Sequence, residues 1–329
     1  MYRRVTNQWS KFVRQYLNAK FKHFKSNEKP ISFKSLISNP RRNKQLGLAV
    51  GGSVVFYCAN LDAAPVTGRT RFLWLPRSVE LLVGGYSYQS KLQETDKYLL
   101  SPIHPVTLRV SNLFMKVVEA ARADPQVDHS LLDDIDWKIH VVNDPLAPPN
   151  AFVMPGGKVF VFSSILGICK NDDGLAAVLA HELAHQLARH SAEQISKSII
   201  YLGLEGVLYA VTGMRIFNNM LVNMILKLPA SREMETEADH IGLMIMSRAC
   251  FNPDEAVRLW ERMSDFEKQY KSGSVRLEFL STHPHSTRRI KDISKNLLKA
   301  HELYSQSNCA IINGHYSKFQ NFFNANSRF

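Results

Sequence analysis

Three things are scarce or missing in this chain of 329 residues, and each closes off a class of protein. Cysteine is the first: Cys58, Cys169, Cys250 and Cys309 are scattered, with no C-x-x-C pair among them. That argues against a thiolate metal site and against a disulfide scaffold. Acid is the second: residues 1–27 contain no Asp or Glu. The third is a long apolar run. The best candidate, Leu46–Ala59, falls short of the ~20 residues a helical membrane span wants. Internal repeats and low-complexity segments are absent as well, and no nucleic-acid motif is present.

What is there is unevenly charged. The net charge is +12, yet residues 1–45 hold twelve Lys/Arg against the single acid Glu28. The basic excess therefore belongs to the N-terminus and not to a nucleic-acid-binding face, and no nucleic-acid partner is expected. In that acid-poor start Val5, Trp9, Phe12, Val13 and Tyr16 fall on one helical face, with Arg4, Lys11 and Arg14 roughly opposite. This is the signature of a mitochondrial transit peptide. The apolar segment follows Arg41, Arg42 and Lys44, and reads as a single membrane anchor over 45–64 if it extends past Asp62. A secretory signal is disfavoured, because its basic region is far shorter than 44 residues. Positive residues ahead of the anchor hold the N-terminus on the matrix side, so the remainder faces the intermembrane space.

Beyond the anchor the chain divides into one domain over 65–304 and a polar tail over 305–329, which is expected to add little to the core. A turn and short strand are expected near 67–76, and helices over 78–97 and 106–123. Strands are expected at 137–142, 152–154 and 158–162, the last two separated by the turn signal Pro155-Gly156-Gly157. A helix starts at Asp172-Asp173, whose acids suit its N-terminal dipole, and runs to just before Ser191. Residues 196–229 are strongly apolar and read as a helix packed over the preceding one, with a membrane-facing flap as the alternative. Further helices cover 231–250, 253–270 and 286–304. The fold class is α+β, mostly helical with a small sheet.

The chemistry is concentrated in VLAHELAHQLARH, residues 178–190. Ala, Leu, Gln and Arg favour helix, which puts His181 and His185 on one face. Two imidazoles at that spacing can grip one Zn²⁺, and the adjacent Glu182 can reach a water on the metal. Two histidines four apart are often mere surface or core residues. Here the flanks are apolar, and a buried helix should not carry ionisable groups without partners. A third protein ligand is then needed. His190 comes five residues after His185, one short of the metzincin spacing, and is set aside. A carboxylate from PASREMETEADH, residues 229–240, is the other answer. Glu235 and Asp239 share a face there, so Glu235 can bind the metal while Asp239 accepts the second ring N–H of a ligand histidine. Glu233 and Glu237 point elsewhere, toward solvent or arginines.

HELAH, PASREMETEADHIGL, STHPHSTRRI and the preceding NAFVMPGGKVFVF, in this order, resemble the HtpX-like and CAAX-prenyl-protease-like zinc endopeptidases, and most nearly their Oma-type branch of the mitochondrial inner membrane. The resemblance runs from about Thr67 to Arg289. It implies a zincin-type (gluzincin) domain with one Zn²⁺ on His181, His185 and Glu235, and Glu182 as general base. It implies a substrate backbone laid along Asn150, Ala151, Phe152, Val153 and Met154. It brings His283 to the site, with His285 as the competitor, to stabilise the oxyanion or fill the open metal position. Arg288 or Arg289 pairs with acids nearby. The implied substrates are inner-membrane proteins, with membrane lipid as a second partner; a homo-oligomer is compatible with the sequence but not required by it. The competing readings are a prenyl-protein-type protease of the endoplasmic reticulum and a non-catalytic membrane-anchored scaffold with a structural zinc site.

Overall fold

Helix α1 (Pro40–Ala59) is where the description of the chain begins: the computed structural model describes residues 40–133, 135–270, 283, 287–307 and 309. Two units are distinguished, 1–53 and 54–329. The proposed transit peptide lies outside the described residues. The described side chains of α1 are exposed, and among the described residues no helix is long and apolar enough to cross a membrane.

Alternating and branched residues build two small sheets. Leu61–Ala63 (β1) pairs antiparallel with Thr70–Phe72 (β2). Lys138–Val142 (β3), Ala151–Met154 (β4) and Lys158–Phe162 (β5) form the other, in the order β3-β5-β4. The middle strand β5 runs parallel to β3 and antiparallel to β4, and its Val159, Phe160 and Val161 are fully buried, as a strand covered on both faces requires. The β4–β5 turn needs its glycines: Gly156 and Gly157 have φ of 88° and 78°, a region where a Cβ is strained. β4 is left as an edge strand.

The helices are α2 (Arg77–Thr95), α3 (Pro105–Arg122), α4 (Ser163–Cys169), α5 (Asp172–Leu187), α6 (His190–Thr212), α7 (Arg215–Val222), α8 (Leu228–Arg248), α9 (Asp254–Tyr270) and α10 (Thr287–Gln306). Most match the sequence expectation to within a few residues; the short α4 does not figure in it. The core forms around α5. Asn171 caps it by accepting the Gly174 N–H at 2.7 Å, and Asp172 and Asp173 lie at its positive end. From Gly174 to Ala184 it is buried all round, against α3, α8, α9 and β4. Its alanines let those neighbours close in. The backbones of α5 and α8 come close at Gly242 of α8, where a Cβ would sit 3.0 Å from His181 Cα and N.

Three expectations are corrected. The helix of residues 172–190 is two helices: it breaks at Arg189, whose φ of 53° is left-handed. No Gly or Pro marks the break. The arginine is held there by bonds to Glu80 (2.8 Å) and the Leu75 carbonyl (3.1 Å). The apolar 196–229 stretch is not one helix, and most of it is not buried. It forms most of α6, all of α7 and the short π-helical turn Asn223–Lys227, and leaves Ile199, Leu202, Val207, Ile216, Phe217 and Met220 exposed. Cys250 and Cys309, 59 residues apart, form a disulfide. It draws the start of the tail inward, and Cys309 is fully buried.

Candidate metal centre

His181 and His185 present their Nε2 atoms to one point from successive turns of α5, 3.1 Å apart. From α8, across the contact that Gly242 permits, Glu235 brings Oε2 to 3.4 Å from His181 Nε2 and Oε1 to 3.5 Å from His185 Nε2. His283 completes the group, its Nδ1 3.3 Å from His181 Nε2 and 3.0 Å from Glu235 Oε2. Ligand atoms on a tetrahedral metal with ~2.0–2.1 Å bonds lie ~3.3 Å apart. All five separations are close to that edge length. The four residues are the group suited to a metal among the described residues.

The electrostatics also call for a cation. Burial raises the Glu235 carboxyl, but hydrogen bonds from His181 and His283 outweigh it and hold the pKa far below the carboxylate range. Burial alone would lower His181; Asp239 and Glu235 raise it to about 9. Burial, with the neighbouring charge of His181, drives His185 well below its ordinary value. Glu182, beside them, is pushed up by burial, and its Oε1 is buried without a hydrogen-bond partner. His283 Nε2 lies 3.5 Å from that oxygen. A buried acceptor with nothing to accept fits a carboxylate waiting for a proton from a bound molecule.

The flanking residues hold this geometry. Asp239 Oδ1 lies 3.1 Å from His181 Nδ1, the nitrogen facing away from the metal point. Arg289 grips Asp239 with Nε and Nη2, both at 2.7 Å, and reaches Glu235 Oε2 with Nη1 at 3.0 Å. The structure thereby chooses between the two arginines, since Arg288 is exposed and, among the described residues, pairs with Asp292. The Arg289 guanidinium lies 3.8 Å from the Trp260 ring centroid, and Trp260 packs edge-on to His181. Sequence reading missed Trp260, for it carries no ligand spacing. β4 lies beside α5, with Asn150 and Ala151 buried and Phe152, Val153 and Met154 half-buried. His285 lies outside the described residues.

His190 and Glu237 sit closer to the centre than expected. As expected, Glu233 faces solvent and Glu237 bonds an arginine, Arg69, though Glu237 is buried. His190 stands off the metal point, its Nδ1 2.7 Å from His185 Nδ1 and its Nε2 3.0 Å from Glu237 Oε2. The only sequence signal was the histidine five residues after a ligand.

Comparison with known proteins gives the family and its relatives. Residues 114–297 match the profile of peptidase family M48. The chain is 56% identical over 289 residues to the mitochondrial metalloendopeptidase OMA1 of Saccharomyces cerevisiae, covering 88% of this chain and 84% of that one. It is 40% identical over 292 residues to the enzyme of the same name from Schizosaccharomyces pombe, covering 86% and 81%. A more distant likeness, 26% over 271 residues, is to the beta-barrel assembly-enhancing protease of Escherichia coli, covering 79% of this chain and 52% of that one.

Proposed function

We propose, from the premise that the chain belongs to peptidase family M48, that His181, His185 and Glu235 hold one Zn²⁺ and that Glu182 is the general base of peptide hydrolysis. The chain is a metalloendopeptidase. One observation carries the site assignment: three donors on two helices converge at tetrahedral spacing beside a buried Glu182 oxygen that makes no hydrogen bond among the described residues.

Bound zinc supplies a Lewis acid that acidifies water and polarises a carbonyl. The protein supplies the rest. Glu182 takes the proton of the attacking water and delivers it to the leaving amine nitrogen. No covalent intermediate with the enzyme is needed. Asp239, itself clamped by Arg289, keeps the His181 proton on Nδ1, so that Nε2 is free to bind metal. β4 offers an unpaired edge to which an extended substrate backbone adds by main-chain bonds, along Asn150–Met154. His283 faces both Glu182 and Glu235, where it stabilises the oxyanion or fills the open metal position.

The setting we propose is the mitochondrial inner membrane, with inner-membrane proteins as substrates. The names of the two yeast relatives support the mitochondrial part. The basic start and the apolar Leu46–Ala59 part of α1, after Arg41, Arg42 and Lys44, support import and attachment, with the catalytic domain in the intermembrane space. The exposed apolar surface of α6 and α7 suits contact with lipid. Neither the endoplasmic-reticulum reading nor the scaffold reading is favoured.

Glu182→Gln tests the mechanism. The variant should keep one zinc per chain and lose at least about a hundredfold in turnover, since a general base contributes ~10²–10⁴-fold. Turnover above a few hundredths of wild type would remove Glu182 from that role.

A further inference from the structure

We propose that His190 and Glu237 are positioning residues for the hydrolysis, fixing His185 in one tautomer and one orientation through a hydrogen-bonded chain that ends on Arg69. The inference rests on the reading of His185 as a metal ligand.

The two ligand histidines of α5 are supported differently. His181 has a carboxylate, Asp239, against its Nδ1. His185 has another imidazole: His190 Nδ1, at 2.7 Å. To bind metal through Nε2, His185 must carry its proton on Nδ1. That N–H then donates to His190 Nδ1, which leaves the His190 proton on Nε2. From there it donates to Glu237 Oε2 at 3.0 Å.

The direction of this chain is set at its far end. Arg69 donates to Glu237 Oε2 from Nε at 3.0 Å and Nη2 at 2.6 Å. The Thr67 hydroxyl donates to the other oxygen of the same carboxylate. Arg69 also makes a two-pronged pair with Glu193, at 2.9 and 2.7 Å. A guanidinium cannot give up its proton or accept one. Donors from Arg69 and Thr67 thus reach both oxygens of Glu237, and the guanidinium pairs with it as a carboxylate. A carboxylate paired with a guanidinium has only acceptor capacity to offer, so His190 donates to it and His185 donates to His190. Each proton position follows from the one before. His190, Glu193 and Glu237 are at most 4% exposed, so water offers little alternative partner.

The fold explains why the two supports differ. α8 touches α5 at His181, where Gly242 lets the backbones meet. His185 is one turn further along, where α5 ends. The break at Arg189 turns the chain so that His190, first residue of α6, swings back under His185. An uninterrupted helix would have carried it away.

Zinc affinity of the purified full-length chain, by chelator competition, reads this directly, alongside the absorption of the cobalt-substituted protein and kcat/KM. Partners that orient a ligand typically contribute ~10–100-fold in metal affinity. His190→Leu should lose about that much, Glu237→Gln about tenfold, and the double variant no more than His190→Leu alone. His190→Gln should stay within a few-fold of wild type, because its amide oxygen accepts and its NH₂ donates in the same order. The cobalt bands should shift in His190→Leu and return in His190→Gln, which a packing role would not produce. Glu237→Gln conserves shape and carries the same test where His190→Leu does not fold. The proposal is overturned if His190→Leu, or Glu237→Gln in its place, binds zinc as tightly as wild type. It is also overturned if His190→Gln is as impaired as His190→Leu. A His185→Ala protein that still holds zinc at full affinity would instead overturn the ligand assignment beneath it.

Discussion

Glu235 and Asp239 are one helical turn apart on α8, both buried and both held ionised, yet their environments give them different work. Glu235 aims at the point shared with His181 and His185; Asp239 stands behind His181 with Arg289 on its other side. Glu235→Gln should therefore cost both metal and activity, since an amide is a far poorer zinc ligand than a carboxylate. Glu233→Gln, at an exposed position two residues earlier, should cost neither; metal analysis of the two purified variants decides. Arg289→Ala should destabilise the fold by ~3 kcal/mol or more in denaturant unfolding, because it strands two buried carboxylates. Arg288→Ala should stay within ~0.5 kcal/mol of wild type. The placement of these side chains was unequally legible. The convergence of His181, His185 and Glu235, with Asp239 behind His181, follows from spacing, because helical period puts i and i+4 residues on one face. Arg289 could not be told from Arg288, because the choice depends on how α10 is rotated against α8, a matter of packing. His283 came only from resemblance, since nothing local ties a loop histidine to helices a hundred residues away.

At the scale of elements, the sheet and most helices follow from alternation, turn glycines and caps, while the joints do not. The end of α5 is set by tertiary bonds to Arg189, so a propensity reading ran through it. The α5–α8 contact is set by a single missing methyl at Gly242. Gly242→Ala should push the two helices apart and lower stability by ~1–3 kcal/mol, with zinc affinity falling in step; thermal unfolding with and without a chelator would separate the two effects. The β1–β2 hairpin is joined to α6 by Arg69 and Glu193. Burial would raise the Glu193 carboxyl, but bonds from Arg69 and Lys197 hold it below its ordinary value. A carboxyl depressed in the folded state stabilises the fold above its unfolded pKa, and that stability is lost as pH falls through the folded value. Glu193→Gln should thus be less stable than wild type at neutral pH, and the gap should narrow on acidification below about 4.5.

For the whole molecule, the proposed orientation is open to a direct test. Protease added to mitoplasts with a ruptured outer membrane should digest an epitope placed after Phe329. Protection until the inner membrane is dissolved would put the domain in the matrix, or show that α1 does not cross. The greasy surface of α6 and α7, with Ile216 88% and Leu202 69% exposed, has a consequence on the bench. In plain buffer, copies of the protein should stick to one another through it. The mass measured by light scattering should then climb with concentration and fall back when a mild detergent is added. Acidic substitutions at Ile216 and Phe217 should abolish that climb and leave the zinc content untouched. A preparation that looks like a large assembly can therefore be reporting its solvent rather than its architecture.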